Sequence, residues 1–319
     1  MFRGCFQNYT FVDRLTQAYG ALVALIILLF HGGALPHWIP LLLTHVVGAL
    51  VLHALICNPW RWASNPAFEI LRHYYPIPLF VGFYTETETL NQLFYKGYLD
   101  IHFLRWEQRL FGMQPGLDWM ARFPSTWFAE VLFAAYFSYY FMIAGMGLTL
   151  LLRDRKQFAH FMAIVSLVLY LCYLVYILLP VVGPRVLYPG VVDPAWVPDW
   201  PSNVDPTPPD TVRRAMFFKL MEWIYEHFEK AGAAFPSSHV AVAVVTLYFS
   251  FRYLRVLRYP HLIAVMLLCV STVYGRYHYL IDVFGGLLLA AVMIPMGNRL
   301  YRRYGEDQQG CAQRSRDRS

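Results

Sequence analysis

Two histidines and an arginine, set at the ends of apolar stretches, hold the chemistry that this sequence suggests first. His278 is followed four residues later by Asp282. At that spacing a helix places both on one face, where a carboxylate can keep one imidazole nitrogen protonated and aim the other outward. A neutral imidazole so held is a competent nucleophile toward phosphorus. His239 closes the run Phe235-Pro236-Ser237-Ser238-His239, immediately before a charge-free apolar stretch. There a serine can cap a helix whose first turn offers unpaired N–H groups and the positive end of its dipole, an anion site. Ser238 adds a hydroxyl donor, and His239 stands beside the anion, able to give a proton to a leaving oxygen. A third apolar stretch ends in Pro180-Val181-Val182-Gly183-Pro184-Arg185, and a guanidinium fork suits phosphate oxygens. Taken singly, these are also a capped helix, a His–Asp pair bridging two helices and an arginine snorkelling to headgroups. Their convergence is what favours function.

The elements that must position them follow from composition. Lys, Arg, Asp and Glu make up 14% of the 319 residues and apolar types 58%, against about 25% charged in soluble proteins. This excludes a water-soluble globule, and with it disorder, collagen and coiled coil. The expected class is an all-α, polytopic integral membrane bundle with seven to eight spans. Two fill Leu15 to Trp60, where no Asp, Glu, Lys or Arg occurs. A third covers Pro66 to Tyr84, with Pro76 and Pro78 inside it. Thr85 to Pro124 mixes charges with aromatics and suggests short helices at a membrane surface. Further spans are expected over Thr126–Leu152, Phe158–Leu179, Ser238–Tyr253, His261–Arg276 and Leu280–Arg299, the first helix being uncleaved. Between them, Pro189 to Pro209 is too rich in proline for anything but a loop. After an Asp210 cap, an amphipathic surface helix should turn Met216, Leu220, Trp223, Ile224 and Phe228 to one face.

Short basic connections (Arg153, Arg155 and Lys156; Arg252, Arg255 and Arg258; Arg299, Arg302 and Arg303) belong in the cytoplasm, which sends all three chemical elements to the outer face. His239 and His278 are 39 positions apart, and a crossing takes about 20 residues, so one hairpin returns the chain to the same depth. Residues 1–125 are then N-terminal transmembrane helices with an outer interfacial segment, 126–303 a catalytic transmembrane core, and 304–319 a disordered cytoplasmic tail. The net charge of +6 is a topology signal and not a nucleic-acid footprint. Five cysteines, odd in number, make a disulfide framework improbable. His31, His45, His53 and His160 lack ligand spacing, which suggests packing or interhelical hydrogen bonds and no metal. Glu86 and Glu88 suit a solvated face, and most tyrosines and tryptophans suit interfacial belts.

These residues carry a resemblance. Gly-Pro-Arg at 183–185, Phe-Pro-Ser-Ser-His at 235–239 and Arg-Tyr-His-Tyr-x-x-Asp at 276–282 are similar to the motifs of the type 2 phosphatidic acid phosphatase superfamily. The departures are Ser238 in place of glycine, Thr272 in place of arginine, and no lysine seven before Arg185. They resemble the branch of inositol phosphorylceramide synthases and related bacterial proteins. The resemblance covers about Thr126 to Arg303, with a weaker echo over Asn91 to Gly112. It implies a six-helix phosphatase-like core and a metal-independent, cofactor-free enzyme of lipid metabolism. It further implies that His278 forms a phosphohistidine, Asp282 orients it, His239 protonates the leaving group, and Ser238 and Arg185 bind phosphate. Arg276 stands where it can supply the charge missing at Thr272. The implied activity is phosphatase or phosphotransferase on a lipid or polyprenyl phosphate at the outer leaflet of an inner or plasma membrane. The competing expectations are an inositol phosphorylceramide synthase-like headgroup transferase, a lipid transporter or scramblase, and a vanadate-dependent haloperoxidase. Clean span interiors oppose the transporter, and the apolar chain and the missing lysine oppose the haloperoxidase.

Overall fold

A computed structural model describes residues 8–33, 35–57, 72, 74–185, 207–228 and 230–305. Among these the regular structure is helical, joined by one isolated parallel bridge between Val181 and Ala233. The helices in chain order are α1 (Phe11–Phe30), α2 (Trp38–Cys57), α3 (Pro76–Leu90), α4 (Asp100–Phe111), α5 (Pro115–Arg122) and α6 (Thr126–Arg153). There follow α7 (Arg155–Leu178), α8 (Asp210–Arg213), α9 (Met216–Phe228), α10 (Ser238–Tyr253), α11 (Arg258–Tyr274) and α12 (Leu280–Tyr304). Six are long and apolar enough to cross a membrane: α1, α2, α6, α7, α11 with the 3-10 turn before it, and α12. The protein is an integral membrane helical bundle. The expected helix at 238–253 forms with those bounds, but its 16 residues span only about 24 Å, short of the roughly 30 Å hydrocarbon layer.

Helix α7 is the axis of the bundle, with α1, α3, α6, α10 and α12 packed around it and 72% of its apolar window buried. Between such helices lipid removes most of the hydrophobic drive, so close packing and polar ties matter more. The Ser271 hydroxyl of α11 donates to the Leu132 carbonyl of α6 at 2.6 Å, the kind of tie worth about 0.6 kcal/mol in a bilayer.

Several expectations shift. The segment expected to span 66–84 is helical as α3, which starts at Pro76 and runs on to Leu90, 15 residues in all; residues 58–71 and 73 lie outside the described residues. Pro76 and Pro78 fall in its first turn, where a missing N–H costs nothing, and not inside a span. Asp210 is the first residue of α8 and not its cap, since Pro209 holds that position. The expected apolar face of α9 is split: Met216, Trp223 and Phe228 are exposed and Leu220 is half-buried, while Ile224 packs on the same core cluster as the buried Phe218 and Met221, which face α6. A second apolar face on a helix is invisible to a one-face reading. Glu86 is not solvated. It pairs with His45 at 2.6 Å, an interhelical tie of the kind expected for that histidine, while Glu88 pairs with Lys230 at 3.1 Å. Cys57 is disulfide-bonded, whereas Cys172 and Cys269 are free. The proline-rich loop up to residue 206 and the tail from 306 lie outside the described residues.

Candidate active site

The C-terminus of α11 and the start of α12 build the first half of the site. After Tyr274 the chain passes through Gly275 to Arg276, whose φ of +66° is uncommon for a residue with a side chain. That turn lets the N–H groups of Tyr277 and His278 converge on one acceptor, the Thr272 carbonyl, at 3.0 and 3.1 Å. Strain of this sort, worth about 1–3 kcal/mol, persists only where the surroundings impose it. Arg276 is 2% exposed.

His278 therefore precedes α12 and is not on the helix that its spacing to Asp282 suggests. The two still meet. Asp282 lies in the first turn of α12, where its Oδ2 accepts the Tyr279 N–H at 2.8 Å and reaches within 3.4 Å of His278 Nδ1. A bent-back cap brings the pair together, although at 3.4 Å it is a contact and not a hydrogen bond.

The second half is the start of α10. Ser237 is its N-cap, with the hydroxyl accepting the Val240 N–H at 3.3 Å, and Ser238 and His239 are its first residues. Close approach of α12 brings them in. The Ser237 N–H donates to the Asp282 carbonyl at 3.1 Å, and a Cβ on Gly286 would stand 2.5 Å from the Ser237 carbonyl oxygen. His239 Nδ1 thereby comes to 3.3 Å from His278 Nε2, with the rings crossing at 61°. Tyr136 and Tyr139 of α6 flank His239, with ring centroids 5.1 and 4.6 Å away. The Ser238 N–H donates to the Tyr176 hydroxyl at 3.2 Å, which in turn donates to the Pro236 carbonyl.

Arg185 enters through its main chain, its N–H donating to the Arg276 carbonyl at 2.8 Å. Its guanidinium rests over the rings of Tyr225 and Tyr277, 5.0 and 5.4 Å from their centroids, with Nη1 3.5 Å from the Tyr277 hydroxyl. Tyr277 is itself stacked between Tyr225 and Tyr136, whose hydroxyls are hydrogen-bonded to each other. These rings hold the charged fork on a rigid aromatic plane. So His239, His278 and Asp282 meet through their side chains, while Ser238, Arg185 and Arg276 are tied to the same turns through main chain.

Two acidic residues on α4, Asp100 and Glu107, reach this region and are each 1% exposed. Asp100 accepts the N–H groups of Val182 and Gly183 and the hydroxyl of Tyr279, each at 2.9 Å. Glu107 Oε1 accepts the N–H groups of Leu280 and Ile281 at 2.5 and 3.3 Å. Burial pushes their carboxyl groups up, to about 6 for Asp100 and about 7 for Glu107, against the pull of those donors. Burial also pushes the His278 imidazole down to about 4, so it is neutral at physiological pH. The sequence reading passed over both acids and put most tyrosines in interfacial belts, whereas Tyr136, Tyr176, Tyr277 and Tyr279 are buried here. A signal existed for the acids: residues 100 and 107 are two helical turns apart on one face.

Two imidazoles, a carboxylate behind one of them and a guanidinium on an adjoining turn could together serve phosphoryl transfer. A family model of the PAP2 superfamily matches residues 101–296, and the chain belongs to that superfamily. Membership supports a phosphatase-type phosphoryl-transfer function, a phosphoric ester hydrolase in the general sense. No curated protein and no solved structure matches the chain.

Proposed function

We propose that this membrane protein removes phosphate from a lipid or polyprenyl phosphate through a phosphohistidine on His278. The observation that carries the reading is the 3.3 Å approach of His239 Nδ1 to His278 Nε2, with Asp282 behind. If Asp282 holds the proton of His278 on Nδ1, Nε2 keeps its lone pair and must be the acceptor from His239. The proton then sits on the nitrogen of His239 that faces the site. One ring is set as nucleophile and the other as acid.

In the first step His239, protonated to imidazolium beside the bound phosphate, gives a proton to the leaving oxygen and becomes neutral, as His278 Nε2 bonds to phosphorus and the ester P–O bond breaks. In the second, His239 removes a proton from water, the oxygen bonds to phosphorus, and the P–N bond breaks to release inorganic phosphate. Phosphorus in line between the two nitrogens needs more than 3.3 Å, so the substrate replaces the His239–His278 contact and parts the rings. Arg185, Arg276 and Ser238 take the equatorial oxygens, which is where charge must be met in a loose transition state. An alcohol in place of water would make the enzyme a transferase, as in the inositol phosphorylceramide synthase-like branch.

The amphiphilic substrate is supported by the position of the site at one end of a membrane bundle. The outer leaflet is supported by the basic residues Arg153, Arg155, Arg252, Arg258, Arg302 and Arg303, which lie at the opposite helix ends. The deciding experiment supplies a panel of 32P-labelled lipid phosphates, quenches at alkaline pH and assays for acid-labile phosphate on the protein. His278→Ala should abolish both the label and turnover. His239→Ala should lose about 10²–10⁴-fold on alkyl esters and much less on an aryl ester, which needs no acid. Undiminished phosphate release by His278→Ala would overturn the mechanism.

A further inference from the structure

The two buried acids of α4 hold main-chain donors from two separate segments. Asp100 takes Val182 and Gly183, which lead into Arg185, together with the Tyr279 hydroxyl; Glu107 takes Leu280 and Ile281, which open α12 just after His278. Successive main-chain N–H groups and a helix N-terminus are the features that ordinarily bind an anion. Here protein carboxylates already fill both. At the start of α10 the Ser238 and Val240 N–H groups are taken by Tyr176 and by the Ser237 cap, so what is left there to offer a phosphate is the side chains of Ser238 and His239. The choice of a carboxylate is itself costly, because a desolvated charge is expensive unless fully hydrogen-bonded. Such groups concentrate where geometry must be held. Asp282 lies a few residues from both grips, and its charge adds to the pressure on Glu107.

We propose that Asp100 and Glu107 are positioning residues of the active site. Through them α4 acts as a brace that fixes the separation of the Arg185 loop from the His278 turn, so that the phosphate cradle is formed before substrate arrives. The inference rests on the phosphohistidine reading and deepens it. Neither acid touches phosphate. Each acts through the segments it grips, and the Tyr279 hydroxyl is the strut between them. Helix α4 is therefore part of the catalytic unit, although it is too short and polar to span a membrane.

The test uses the full-length protein in detergent and orthovanadate, a phosphate-shaped anion, as the probe. Affinity is measured per folded molecule by titration calorimetry, well below each variant's unfolding temperature. Three variants are compared with wild type: Asp100→Asn, which puts an amide N–H₂ among three donors; Glu107→Gln, which does the same at α12; and Tyr279→Phe, which deletes only the strut hydroxyl. The expected result is vanadate binding to wild type, with affinity at least about 10-fold weaker in each of the three variants. On a lipid phosphate the kcat should fall up to about 100-fold, as for a reacting group misplaced by roughly 1 Å, with little change in KM. Variants that lose thermal stability yet bind vanadate as wild type does would show a merely structural role and overturn the brace. Wild type that binds no vanadate would instead remove the phosphate cradle, and with it the reading beneath. If Asp100→Asn does not fold, Tyr279→Phe decides alone.

Discussion

Gly183→Ala is the substitution whose effect can be worked most directly from the structure. Gly183 has φ +88°, and a Cβ built there would stand 2.6 Å from the Tyr277 carbonyl oxygen and 3.5 Å from Ala234 Cβ. The left-handed conformation by itself costs a residue with a side chain about 1–2 kcal/mol. The contact adds more, because a carbon beside a carbonyl oxygen needs about 3.3 Å, so the two segments must part by roughly 0.7 Å. The oxygen is main chain and belongs to the residue before His278, so no side-chain rotation relieves it. The Arg185 loop and the nucleophile turn would separate, stretching the 2.8 Å bond from the Arg185 N–H to the Arg276 carbonyl. A displacement approaching 1 Å costs about 100-fold in rate when it falls on reacting groups, so kcat/KM should drop 10- to 100-fold, by order of magnitude. Gly33→Ala supplies the control: φ is +82°, with nothing within 4 Å of the added carbon, so it carries strain without a clash. The assay is initial-rate phosphate release from a lipid phosphate that wild type turns over, normalised to folded protein, alongside thermal unfolding. Both variants should lose stability, Gly183→Ala by more, and only Gly183→Ala should lose turnover. Equal rates in the two would refute the geometric argument.

Gly286→Ala tests the other closure, since its Cβ would meet the Ser237 carbonyl oxygen at 2.5 Å and Val240 Cβ at 3.1 Å. The start of α10 must retreat and take His239 with it, so turnover of alkyl phosphates should fall more than that of aryl phosphates; a uniform loss across leaving groups would contradict it. The pH profile tests the nucleophile. Protonation removes the lone pair of His278, so activity is lost as pH falls through its pKa. With burial holding that value near 4 against an ordinary 6.5, kcat/KM corrected for substrate ionisation should stay level from pH 7 to about 5. An acid limb centred at 6.5 and absent from a His278 variant would show a solvated imidazole instead.

Much of the architecture was legible because membrane insertion imposes rules on composition that a linear chain displays directly. Apolar runs with few charges, broken by Pro and Gly, marked α1, α2, α6, α7, α11 and α12, and α10 besides. The spacing of 39 residues between His239 and His278 was enough to bring them to one depth, since a hairpin must return. Arg185, at the end of α7, follows from the same rule. What the pattern read poorly were polar residues whose partners lie far along the chain. Glu86 looked solvated and is paired with His45, 41 residues away, and Asp100 looked interfacial while gripping Tyr279, 179 residues away. A hydropathy reading ranks a residue by its own side chain and cannot see a donor brought in from another segment.

From the amino-acid order alone came the class of protein and the ends of its main helices, because each rests on local periodicity and on residue chemistry; the same order put forward six residues as candidates for handling phosphate. Tertiary structure decided the rest. It set His278 before α12 and not on it, turned Phe218, Met221 and Tyr225 of α9 inward, and placed two carboxylates of α4 under the site. These outcomes depend on close approaches at Gly183 and Gly286 and on hydrogen bonds between distant segments. Such terms exist only once the helices are packed, and so no property of a single stretch of chain can reveal them.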